Sequence, residues 1–97
     1  MFTYITLYRY TAQGIRSIKE SPKRVDQARQ AMEKAGAKLK GIYLTTGRYD
    51  LIAISEWPTE EAAMTFLLAM GAAGNVTTET LRAFDEAAFK KMVAAIP

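Results

Sequence analysis

The side chains best equipped for chemistry in this sequence are its five tyrosines, Asp50 and Arg82. Tyr4, Tyr8 and Tyr10 share one face of an N-terminal strand pattern, Tyr43 lies in a second, and Tyr49-Asp50 follow the Thr46-Gly47-Arg48 reversal. Phenols can line a pocket for an aromatic or aliphatic ligand and orient it through their hydroxyls. They also suit a subunit interface, where an amphipathic ring is at home. Asp50 is a candidate anion or base at the mouth of a sheet. Its carboxylate is equally fitted to accept backbone N–H bonds around Gly47 and set the hairpin register. Arg82 is the only basic residue of the last strand pattern; its planar fork could hold a ligand carboxylate or pair with Glu79 or Asp50. Tyr8, Tyr43, Tyr49, Asp50 and Arg82 are therefore the candidate ligand-binding residues. In an enzyme, Tyr8, Asp50 and Arg82 would have to converge on one cavity. No catalytic residue can be assigned, since Asp50 has no identifiable partner acid.

Other chemistries are excluded by what is missing. There is no cysteine and no histidine, which removes disulfides, thiolate catalysis, Cys-based zinc sites and the commonest general base and metal ligand. The acids are scattered, with no loop of closely spaced oxygen ligands, so no metal is expected. Gly71-Ala72-Ala73-Gly74 follows a helix pattern and lacks Lys-Ser/Thr, unlike a phosphate loop; no cofactor is expected.

Net charge is +3 but unevenly spread: residues 1–48 hold ten Lys/Arg against three Asp/Glu, and residues 49–97 three against seven. Such asymmetry can mark nucleic-acid binding or complementary oligomer surfaces. The basic helix pattern has no interleaved aromatics and the strands carry no RNA-binding aromatic signature, so nucleic acid is disfavoured and a solvated basic helix is the simpler reading. The N-terminus shows no signal-peptide pattern, and no stretch reaches the roughly 20 apolar residues that cross a bilayer. A cytoplasmic protein without membrane contact is expected.

The elements that must position these residues are legible in the periodicity. Phe2 to Tyr10 is rich in β-branched and aromatic residues and predicts a strand, with Ile5 and Leu7 on one face and Tyr4, Thr6, Tyr8 and Tyr10 on the other. Ile15 to Glu20 predicts a short helical turn. Ser21-Pro22 reads as a cap followed by a first-turn proline, and Val25, Ala28, Met32 and Ala35 form a core-facing stripe ending at Gly36. Lys38 to Thr45 predicts an edge strand blunted by Lys38 and Lys40. Asp50 to Trp57 predicts a third strand whose Leu51-Ile52-Ala53-Ile54 run is apolar on both faces. Thr59 caps a second helix through Met70, apolar well beyond a normal stripe. Gly71 to Asn75 predicts a loop and Val76 to Phe84 a fourth strand. Asp85 caps a last helix whose Ala88, Phe89, Met92 and Ile96 face could cover part of the second.

The order βαββαβα is the split-βαβ pattern with an added helix. It predicts one α+β domain over residues 1–97, ferredoxin-like βαββαβ with an extra C-terminal helix, in which a four-stranded antiparallel sheet carries helices on one face only. The other sheet face, holding the Tyr4/Tyr8 row with part of the third strand or an equivalent set, is too apolar for water. Such a patch marks an interface, so a homodimer or larger homo-oligomer is expected.

Specific residues carry a family resemblance. Gly47-Arg48-Tyr49-Asp50 matches the Gly-x-Tyr-Asp hairpin of the GYD domain family. Gly14-Ile15-Arg16, Ser21-Pro22-Lys23-Arg24 and the segment from Gly74 to Phe84 are similar to that family too, in the right order. The resemblance covers nearly the whole chain; it implies the dimeric α+β-barrel fold and no established activity. Thr46 to Ile52, then a helix and Gly74 to Thr80, also resembles the effector-binding module of the Lrp/AsnC regulators. Those modules dimerise through this sheet and bind small effectors between subunits; their helix-turn-helix half has no counterpart here. Together these imply a homo-oligomeric domain that binds a small molecule at an intersubunit cleft or serves as an assembly module. The alternative is a small cofactor-independent enzyme of the monooxygenase, isomerase or dehydratase type.

Overall fold

The structure is a computed structural model describing residues 1–97. Strand β1 (Phe2–Tyr10) leads into a short helix α1 (Ala12–Arg16), a 3-10 turn (Ile18–Glu20) and helix α2 (Ser21–Lys34). Strands β2 (Lys38–Leu44) and β3 (Leu51–Trp57) form a hairpin. Helix α3 (Glu60–Ala73), strand β4 (Val76–Ala83) and helix α4 (Glu86–Ala94) complete the chain. The sheet is antiparallel in the order β2-β3-β1-β4, the expected ferredoxin-like α+β arrangement. β2 is an edge, as its lysines predict, and its pairing slips between Leu39 and Gly41.

Local signals differ from expectation at four points. The first helical stretch is not one turn over Ile15 to Glu20: α1 already starts at Ala12, where the Thr11 side chain caps it by accepting the Gly14 amide, and the 3-10 turn is separate. The 3-10 turn runs directly into α2, so Ser21 has helical dihedrals and lies inside the helix; its hydroxyl bonds the Tyr10 hydroxyl at 2.7 Å rather than capping. α3 continues through Gly71 to Ala73 and stops at Gly74, whose φ of +80° is a left-handed cap. No charge or proline breaks the helix earlier. α4 does not bury its apolar stripe on α3: Phe89, Met92, Val93 and Ile96 are all at least half exposed, and the molecule measures 52 × 32 × 19 Å.

The register assigns the two sheet faces. Opposed residues in adjacent strands share a face, so Tyr4, Thr6 and Tyr8 lie with Ser55, Ala53 and Leu51. This is the helix side. Tyr4, Met32, Ala37, Trp57 and Ala63 form its main core, with Trp57 and Phe66 rings 5.3 Å apart and the buried Trp57 indole donating to Ser55 Oγ. The tyrosine row is therefore core, and the face left uncovered by α2 and α3 is the equivalent set: Ile5 and Leu7 of β1, Ile54 and Ile52 of β3, Leu81 of β4 and Tyr43 of β2.

Gly14 needs its missing side chain. α1 docks against the start of β4, and a Cβ on Gly14 would sit 1.9 Å from the Asn75 carbonyl oxygen. Thr11 donates through its amide to that oxygen and through its hydroxyl to the Gly74 carbonyl, while Gln13 Nε2 reaches the Ala73 carbonyl and Asn75 Oδ1.

Candidate functional site

The sequence-derived residues divide among three places. At the β2–β3 hairpin, the Thr45 amide donates to the Asp50 carbonyl at 2.9 Å and the Thr45 hydroxyl to the Tyr49 carbonyl at 2.6 Å. Gly47, at φ +95°, makes the reversal. Asp50 closes the end of the sheet: its amide donates to the Tyr8 carbonyl at 2.8 Å, and its carboxylate accepts the Tyr10 amide at 2.9 Å. The carboxylate thus locks β1 to the hairpin rather than bonding around Gly47. Beside it, the Tyr49 hydroxyl donates to the Glu79 carboxylate, the Arg9 guanidinium lies 5.0 Å from the Tyr49 ring centre, and Arg9 Nε donates to the Arg48 carbonyl. The hydrogen bond to Glu79 is the largest cause raising the Tyr49 phenol above its ordinary value of 10.0. Arg9 and Glu79 share the uncovered sheet face, since Leu7 pairs with Glu79 and Arg9 follows Leu7 by two. Tyr43, 58% exposed, stands on the same face.

Arg82 lies opposite Tyr4, four residues from Tyr8 along β1. It pairs with neither Glu79 nor Asp50. Its guanidinium rests among Phe84, Phe2 and Tyr4, with ring centres 4.4, 4.9 and 5.8 Å away, and donates to the Thr3 carbonyl. Four residues of strand are roughly 13 Å, so Tyr8, Asp50 and Arg82 do not converge. The three-residue constellation that an enzyme would require is not assembled.

Tyr8 alone opens onto a cavity. Between α2, α3 and the helix side of the sheet lies a volume of about 340 Å³. Its floor is Tyr8, Ala53, Leu51 and Val76, and its walls include Val25, Ala28 and Met32 from α2 and Phe66, Ala69 and Met70 from α3. Burial raises the Tyr8 phenol above 10.0, keeping it neutral. The polar margin consists of Tyr10, Ser21, Arg24, Gln27 and Asn75. Arg24 is held by α1, its NH1 nitrogen donating to the Ser17 carbonyl and hydroxyl at 3.3 and 3.2 Å. Of the margin, residue type and spacing pointed only to Tyr10. The usable signal was alanine: Ala28 and Ala31 on α2, Ala69 and Ala73 on α3, too small to fill the space between two helices.

The family model described as the GYD domain matches residues 4–93. The chain belongs to the GYD domain family. No curated protein gives a significant match. Among solved structures, FFRP-DM1 is similar at 22% identity with a TM-score of 0.62, over 87% of this chain and all of that one. A protein from Thermus thermophilus shares 25% identity (TM-score 0.54, 88% of this chain, 95% of that one). A hypothetical protein from Pyrococcus horikoshii shares 24% (TM-score 0.55, 89% and 93%). These likenesses establish a common fold. In this GYD domain the hairpin for which the family is named places Tyr49 beside Glu79 and makes Asp50 a strand lock. No helix is long and apolar enough to cross a membrane, and no cluster of acids could hold a metal ion.

Proposed function

We propose that this GYD domain is a homodimeric assembly module whose uncovered sheet face is the subunit interface. One observation carries the reading: Ile5, Leu7, Ile52, Ile54 and Leu81 form a contiguous apolar set on the face that α2 and α3 do not cover. Sheets of this kind pack face to face about 10 Å apart. Four strands of seven to nine residues present a footprint of roughly 19 by 26 Å. That is short of the ~800 Å² per partner of a standard interface, and the exposed stripe of α4 offers the remainder. The likeness to the Lrp/AsnC effector module supports the same face. Tyr43 and Tyr49 border it, so a small molecule held between two such sheets would meet their rings. Tyr8 opens on the opposite side and would not contribute.

Sedimentation equilibrium at micromolar concentration tests the assembly. The expected mass is twice the 10.8 kDa of the chain. A monomer across that range removes the proposal.

A further inference from the structure

We propose that the cavity between α2 and α3 is a binding site for an amphipathic monocarboxylate, whose apolar body fills the chamber and whose carboxylate meets Arg24. Size is the first argument. A cavity of 150 Å³ lined by aliphatic and aromatic side chains is enough to hold benzene, and this one, at about 340 Å³, has room for a body of about two fused rings or a medium alkyl chain. It also falls at the lower end of the roughly 300–1,000 Å³ typical of small-molecule sites.

Lining is the second argument. Fifteen of the 19 lining residues are hydrophobic, with Tyr8 and Tyr10 counted among them, and of the four polar ones Arg24 and Asn75 both lie against Gly14 of α1 while Ser21 bonds the Tyr10 hydroxyl. The chamber therefore distinguishes the two ends of its ligand. Charge is the third. Arg24 is the only charged residue among the 19; no Asp or Glu lines the cavity, and Arg24 belongs to none of the ion pairs of the molecule. Its NH1 contacts with Ser17 fix the guanidinium without neutralising it. A held, half-buried cation beside an apolar chamber favours an anionic head. The Tyr10–Ser21 hydroxyl pair and the Asn75 amide stand at the same margin and can share that head by hydrogen bonds. The site lies on the helix side of the sheet, so it does not depend on the proposed dimer.

The probe pair is 1-naphthoate and its neutral counterpart 1-naphthylmethanol, followed by amide NMR on the full chain. 1-Naphthoate is expected to bind with a Kd on the order of 0.1 mM, shifting Ala28, Ala69 and Val76 and leaving Ile5, Ile52 and Leu81 in place. Arg24→Gln should weaken naphthoate about tenfold, as expected for one charge-assisted hydrogen bond, and leave the alcohol unchanged; Arg24→Lys should restore most of the loss. Ala69→Phe, which fills the chamber, should abolish both, with Ala28→Phe as the alternative plug should the first variant not fold. Ile52→Lys, on the other sheet face, should bind like the parent. Absence of binding at millimolar naphthoate overturns the proposal. So do shifts confined to the uncovered face, full binding by the plugged variants, or equal loss of acid and alcohol in Arg24→Gln.

Discussion

Asp50 shows how a chemically suggestive residue can be a structural one. Its carboxylate is occupied by the Tyr10 amide, and its own backbone bridges Tyr8 and Thr45. Asp50→Ala leaves that half-buried amide without its acceptor, and a hydrogen bond to a charged group is worth about 1.5–3 kcal/mol. With water partly able to replace it, the expected loss is about 1–2 kcal/mol in urea unfolding, and less for Asp50→Asn, which keeps an acceptor oxygen. The tyrosines give a pH signature of determined sign. Tyr4, Tyr8 and Tyr49 hold their protons more tightly in the folded chain than the ordinary 10.0, Tyr8 chiefly through desolvation and Tyr49 chiefly through Glu79. Above the unfolded value the folded state then binds more protons than the unfolded one, so stability falls as pH rises. Urea midpoints should be insensitive to this effect below pH 10 and decline beyond it, and Glu79→Gln should reduce the part due to Tyr49. The types of these residues could be read from the sequence. Their partners could not, because Tyr10 meets Asp50 only once β1 has paired with β3, and Arg82 meets its aromatic ring set only across β4 and β1.

At the scale of elements, strand alternation, the Thr59 and Asp85 caps and the Gly36 stop were legible because each depends on a few neighbouring residues. The errors fell where an element's end depends on context. Ser21 resembles a cap and is drawn inside α2 by the preceding 3-10 turn; Gly71 resembles a stop and is passed over for Gly74. The assignment of sheet faces was also beyond local pattern, since both sides of β3 are apolar and only packing decides which meets the helices. α4 is the element least supported by its own chain. Nine residues are too few for a stable isolated helix in water, its apolar stripe is exposed, and its start depends on Asp85 accepting the Ala88 amide at 2.8 Å. Asp85→Ala should cost the helix about 1 kcal/mol. The expected result is loss of ellipticity equivalent to α4, with the urea midpoint of the sheet and its helices unchanged when read by Trp57 fluorescence on the dilute monomer. A matching drop in the fluorescence midpoint would mean that α4 is integral to the core.

At the scale of the molecule, the feature that the sequence makes visible is an imbalance: more apolar sheet than the helices can cover. β3 contributes Ala53, Ser55 and Trp57 to the buried side and Ile52 and Ile54 to the other. A lysine at position 54 separates the two explanations for that second set. In a lone protomer the side chain of Ile54→Lys projects into water, and replacing a partly exposed isoleucine costs the fold little. Between two sheets the same ammonium would be buried without a partner, which costs several kcal/mol per ion, and by symmetry it enters the interface twice. Ile54→Lys should therefore raise the dimer dissociation constant by at least about a hundredfold, since each 1.4 kcal/mol is a factor of ten. Unfolding measured on the dilute monomer should change by less than about 1 kcal/mol. The control is Thr78→Lys, on the opposite face of β4, which should leave association unaltered. If Ile54→Lys sediments as the parent does, the apolar face is solvated as it stands, and the assembly surface must be sought on α4.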